Sequence, residues 1–73
     1  MTKTMSAILV RVLSEELGRQ KAWREQDISN GFENAYRNNV MKEIEDFMKE
    51  NDIEINSSYV YDGYCEEKTD EQT

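Results

Sequence analysis

The residues best equipped for chemistry in this chain are carboxylates. Glu43, Asp46 and Glu50 recur at spacings of three and four, which puts all three on one face of a helix. Two carboxylates suffice for acid–base work in glycosidases. Such work also needs a pocket that moves one pKa, and 73 residues offer little to build one from. Histidine is missing altogether. That removes the usual general base at neutral pH and every Ser–His or Cys–His nucleophile arrangement. The carboxylates are expected to face solvent or a partner, and the chain is expected not to be an enzyme.

No metal or cofactor is expected. Cys65 is the single cysteine, and without histidine it makes no zinc site within one chain. Glu66 and Glu67 beside it should raise its pKa and slow its reactions. Asp52-x-Glu54-x-Asn56 has the start of a calcium loop, but Ser57 stands where glycine is needed and Gly63 where the bidentate glutamate is needed. No dinucleotide or Walker-type glycine motif is present.

Two groups of residues could meet a macromolecule. Arg19, Lys21 and Arg24 surround Trp23, so a base could stack on the indole while the cations meet phosphate. Against this, an aromatic ring dominates the burial a tiny core can achieve, which favours an inward Trp23. A helix-turn-helix around Gly18 or Gly31 would have to pack Arg24 or Arg37 inside. The second group is Tyr59, Tyr61 and Tyr64, set among Asp62, Glu66, Glu67 and Asp70. Acids steer toward basic surfaces and tyrosines supply contact area at modest entropic cost. The alternative is that the tyrosines cover the helices and the acids keep the chain soluble.

The net charge of −7 is uneven. Up to Val40 there are six bases and five acids; from Met41 onward there are three bases and eleven acids. Phosphate backbones repel such a second half, and a basic protein surface, including one that normally holds nucleic acid, attracts it. One cysteine allows no internal disulfide, which suggests a reducing compartment. The apolar run near the start is interrupted by Arg11 and is too short to span a bilayer. A cytoplasmic protein without membrane contact is expected.

The elements that would position these residues are mainly helical. Met5, Ile8, Leu9, Val12, Leu13 and Leu17 form one stripe, capped by Thr4 and ended by Gly18. The alternative is an unbroken helix through Gly18, which would keep Val12 and Trp23 on one side. Phe32, Tyr36, Val40, Ile44, Phe47 and Met48 form a second stripe on a longer helix from about Asn30 to Asn51, with Asn30 and Glu33 as a capping box. Beyond it, Tyr59, Val60 and Tyr61 favour strand and Asp62-Gly63 is a hairpin turn. The expected architecture is a small helical hairpin or three-helix domain over residues 1–56. Residues 57–73 follow as an acidic arm, extended or in a short β-hairpin, with a disordered tail. The expected core is Ile8, Leu9, Val12, Leu13, Leu17, Trp23, Ile28, Phe32, Tyr36, Val40, Ile44, Phe47 and Met48. So short a chain buries little, and a homodimer would add burial.

In size, acidity and lack of catalytic residue types the chain resembles small accessory proteins of bacteriophages and mobile elements. The expected function is non-catalytic: binding and inhibiting or modulating a protein with a basic surface, through Glu43, Asp46, Glu50, Tyr59, Tyr61, Asp62 and Tyr64. A sharper version is imitation of nucleic-acid charge. The alternatives are a dimeric nucleic-acid-binding regulator using Arg19, Lys21, Trp23 and Arg24, and an antitoxin-like partner whose arm folds on its target.

Overall fold

A computed structural model describes residues 2–33 and 35–71, with side chains in the second segment as far as Glu67. Three helices follow one another: α1 (Lys3–Ser29), α2 (Ala35–Glu50) and α3 (Ser57–Glu71). Among the described residues there is no strand. The fold is mainly α, as the spacing predicts, and the extended or hairpin arm is corrected to a helix.

α1 is one unbroken helix of 27 residues. Gly18 does not end it, and the residues around Trp23 belong to it. Its cap is Thr2 rather than Thr4, with Thr2 Oγ1 accepting from the Met5 amide at 3.1 Å. Asn30 closes α1 instead of opening α2, and Gly31 follows at φ +79°. The Phe32 amide then reaches back to the Asp27 carbonyl at 2.7 Å. Glycine takes the left-handed conformation without a Cβ clash, so the chain reverses there.

α2 ends in the same manner. The Ile53 amide donates to the Met48 carbonyl at 2.8 Å, with Asp52 at φ +54° and the Asn51 side chain on the Phe47 carbonyl. Asn56 then caps α3: its Oδ1 accepts from the Ser58 and Tyr59 amides at 3.0 and 3.2 Å. That cap, followed by helical packing of Val60, Gly63 and Tyr64, overrides the strand preference of Tyr59-Val60-Tyr61.

The helices lie side by side with α1 in the middle. The Cα atoms span 41 × 25 × 13 Å. α2 and α3 each pack on α1, and among the described residues they do not touch one another. α2 runs antiparallel to α1, with Arg37 on Asp27 near the turn. α3 runs parallel to it, from Asn56 beside Ser14 to Glu67 beside Trp23. The linker from Asn51 to Asn56 crosses one side of the layer, where Ile53 is buried and the Asn56 amide donates to the wholly buried Ser14 Oγ at 3.0 Å.

The seam between α1 and α3 is made by small residues. Ser14, Gly18 and Ala22 are all buried and recur every four positions on α1. A Cβ on Gly18 would overlap the Val60 carbonyl oxygen and stand 2.7 Å from the Tyr64 backbone nitrogen. A Cβ on Gly63 would overlap the Glu15 carbonyl oxygen and stand 2.9 Å from its carbon. Both glycines are there because two backbones touch, not to break a helix or make a turn.

The buried apolar cluster is Leu17, Met41, Met48 and Ile53, with Leu9, Val10, Leu13, Ile44 and Val60 packed around it. Of the expected core only Leu17 and Met48 are buried. Ile8, Val12, Ile28, Phe32, Tyr36 and Phe47 are exposed, and Leu9, Leu13, Trp23, Val40 and Ile44 are half-buried. A single layer can hide only the edge of each stripe that meets a neighbouring helix, so the rest stays open.

Candidate protein-docking face

The layer has two sides. One carries the crossing linker. The other can be traced from α1, because the helix is unbroken and its phase is therefore fixed. Met5, Ile8, Val12 and Trp23 fall on that second side, and the first three are about half exposed. Arg37 fixes the matching side of α2: its guanidinium lies 5.1 Å from the Trp23 ring centroid and 5.5 Å from that of Tyr36. Tyr36, Val40, Glu43, Phe47 and Glu50 follow it at helical spacing, with Asp46 at their outer edge. On α3, the side next to Arg11 and Arg19 carries Tyr59, Asp62 and Glu66.

Five of the seven residues expected to bind a partner therefore share this side: Glu43, Asp46, Glu50, Tyr59 and Asp62. All but Tyr59 are exposed, and Tyr59 is half-buried. Tyr61 and Tyr64 lie elsewhere. Tyr64 donates its hydroxyl hydrogen bond to Glu25, and Tyr61 interacts with the Cys65 thiol. That contact and the nearby Asp62 charge raise the Tyr61 pKa, the thiol contributing most.

Cations on this side are already engaged. Arg11 Nε donates to Glu15 at 2.9 Å, which raises the guanidinium pKa and holds it charged. Arg19 Nε donates to Glu16 at 3.0 Å, with Glu15 and Glu66 at 3.9 and 3.7 Å; its pKa is raised as well, chiefly by the Glu16 hydrogen bond. On α2 Lys42, toward the linker side with Lys49, stands 3.9 Å from Asp46. What remains outward is mostly negative.

The cluster around Trp23 has internal partners. The indole N–H donates to Glu67 at 3.0 Å, Arg37 covers a ring face and donates to Asp27 at 3.1 Å, and Arg24 donates to Asn38 at 3.0 Å. Lys21 points to the opposite side of α1 from Arg19, two residues away on the helix. Of Arg19, Lys21, Trp23 and Arg24, no three converge on one open surface. Asp52 and Asn56, part of the calcium-like spacing, shape the ends of α2 and α3 instead.

On the linker side, Glu45, Met48, Lys49, Ile53, Glu54 and Ile55 line an open recess of about 400 Å³. Among the described residues no three potential metal ligands gather, and no helix is long and apolar enough to cross a membrane.

Sequence reasoning missed the exposed apolar residues on this side of the layer. It assigned Ile8, Val12 and Phe47 to the core, and Glu66 only to an acidic background. The available signal was the small-residue series Ser14, Gly18 and Ala22, which marks the side of α1 that really is closed. The chain matches no family model, and no curated protein or solved structure matches it either.

Proposed function

We propose that this chain is a non-catalytic binding protein that occupies a basic surface on another protein and inhibits or modulates it. The observation that carries this is the union, on one side of the layer, of Met5, Ile8, Val12 and Phe47 with Glu43, Asp46, Glu50, Asp62 and Glu66. Exposed large apolar residues on the same side as unpaired charge are a feature of interaction surfaces in soluble proteins. Acids of one sign on that side speed encounter with a basic partner and set its orientation. The sharper form is a stand-in for nucleic-acid charge that blocks a nuclease or restriction-type enzyme, as a phage or mobile-element accessory protein acting on a host target would.

The test is affinity capture from the native host in low and moderate salt, with Glu43→Gln/Asp46→Asn/Glu50→Gln as the comparison. A partner with a basic surface should be retained at low salt, weaken steeply as salt rises, and be lost with the triple variant. Capture that ignores both salt and the three carboxylates would remove the proposal.

A further inference from the structure

We propose that Asn30-Gly31 is a self-modifying turn: the Asn30 side-chain amide converts, without an enzyme, to aspartate and isoaspartate, and the conversion loosens α2 from α1. Asparagine is a chemically labile side chain, and Asn30 is the only one in this chain that precedes glycine. The attacking atom is the backbone nitrogen of residue 31. A side chain there would crowd the five-membered ring that forms, and glycine has none. The turn is also open on the outside. Asn30 and Gly31 are both exposed, and a Cβ on Gly31 would meet nothing within 4 Å.

The only co-reactant is water. The Gly31 nitrogen gives up its proton to solvent and bonds to the Asn30 side-chain carbonyl carbon. The bond from that carbon to the side-chain nitrogen breaks, and the nitrogen takes up a proton and leaves as ammonia. Water then opens the cyclic imide. Hydrolysis at the side-chain carbonyl gives aspartate. Hydrolysis at the backbone carbonyl gives isoaspartate, in which the main chain runs through the side-chain carbons and gains a methylene. Either product adds a negative charge.

The fold gates this chemistry. Asn30 sits at ψ 3°, which turns the Gly31 nitrogen away from the side chain it must attack. The same N–H donates to the Ile28 carbonyl at 3.1 Å, and the Phe32 N–H donates to the Asp27 carbonyl at 2.7 Å. These bonds have to open before the ring can close, so the reaction runs through the frayed end of α1. Afterwards the original turn cannot re-form. The extra methylene of isoaspartate spoils the spacing that the two bonds need. The new carboxylate also stands at the negative end of the α1 dipole, one turn on from Asp27. Asp27 holds α2 through Arg37 at 3.1 Å, so the damage passes to the α1–α2 seam.

The full chain is aged at mildly alkaline pH with and without urea, then digested with trypsin. The fragment 25–37 should gain about one dalton, located at Asn30 by fragmentation. In the folded chain Asn30 should react at least about tenfold ahead of Asn38, Asn39, Asn51 and Asn56, and in urea about tenfold faster again. Asn30→Gln keeps an amide but would have to close a six-membered ring, so it should stay unmodified. A methyltransferase specific for isoaspartate should label the aged chain and not this variant. The converted chain, separated by ion exchange, should show faster hydrogen exchange in α2 than the fresh chain, with α3 unchanged. Conversion of Asn30 no faster than that of the other asparagines overturns the site. Equal rates with and without urea overturn the gating by the turn. Unchanged exchange in α2 after conversion removes the link to the seam.

Discussion

The two seams of α1 are built on opposite principles. Toward α3, Ser14, Gly18 and Ala22 meet Val60, Gly63 and Tyr64, and backbone lies against backbone. Toward α2, long side chains fill the gap: Leu13, Leu17, Met41, Ile44 and Met48, closed at one end by the Asp27–Arg37 pair at 3.1 Å. The second seam carries most of the apolar volume yet packs less completely. Gln20 is buried and points to that side; its amide donates to Glu16 at 2.9 Å, while its Oε1 accepts from no described group. Close approach gains dispersion from many atoms at once, without large side chains. The comparison teaches that hydrophobicity and tightness are separable: the more apolar seam is the looser one.

The sharpest way to break this contrast is Gly18→Ala. In an open helix that change adds about 1 kcal/mol through helix propensity. Here the new methyl falls on the Val60 carbonyl, which is backbone and cannot rotate aside, so a loss of about 3 kcal/mol is expected. Gly63→Ala should do the same from the other side, and the double variant should lose less than the sum because both relieve one crossing. Urea unfolding measures all three. Unchanged or increased stability would mean that α1 and α3 stand farther apart than described.

Met48→Ala tests the other seam. The side chain is 1% exposed and belongs to the central apolar cluster. Truncation should cost about 2 kcal/mol, toward the low end for methionine because a single-layer seam can relax around the cavity. A loss larger than that of Gly18→Ala would reverse the ranking of the two seams.

Asn56→Ala removes the acceptor of the Ser58 and Tyr59 amides at the start of α3, and about 1 kcal/mol should go with it. A smaller effect than a few tenths of a kcal/mol would show that the crossing at Gly63 alone holds α3 in place. The smallest effect is expected for Cys65→Ala. The thiol raises the pKa of the exposed Tyr61, so without it the Tyr61 phenolate should form at lower pH in an alkaline absorbance titration. Stability near neutral pH should not move, because Tyr61 is protonated there in either case. An unshifted titration would mean the two side chains do not meet.

What could be read from the residues follows the same division. Spacing by three and four revealed the long-side-chain stripes, and both helices that carry them exist. Helical phase also placed Glu43, Asp46 and Glu50 together, and they do share a face with Phe47. Depth could not be read that way. A stripe is as wide in a layer as in a bundle, so Ile8, Val12, Tyr36 and Phe47 looked internal although they lie open. Gly18 and Gly63 carried two meanings, helix ending or close contact, and only the partner backbone decides between them. Tyr59-Val60-Tyr61 favoured strand locally, but the Asn56 cap and the crossing at Gly63 outweigh a preference worth at most about 1 kcal/mol.

α2 and α3 both lean on α1 and, among the described residues, never on each other. Each can detach while its counterpart stays docked, and the chain is wired for partial opening rather than one all-or-none event. α2, on the looser side, is the unit expected to leave first. Amides of α2 should then exchange with heavy water ahead of those flanking Gly18, which stay shielded until α3 itself swings away.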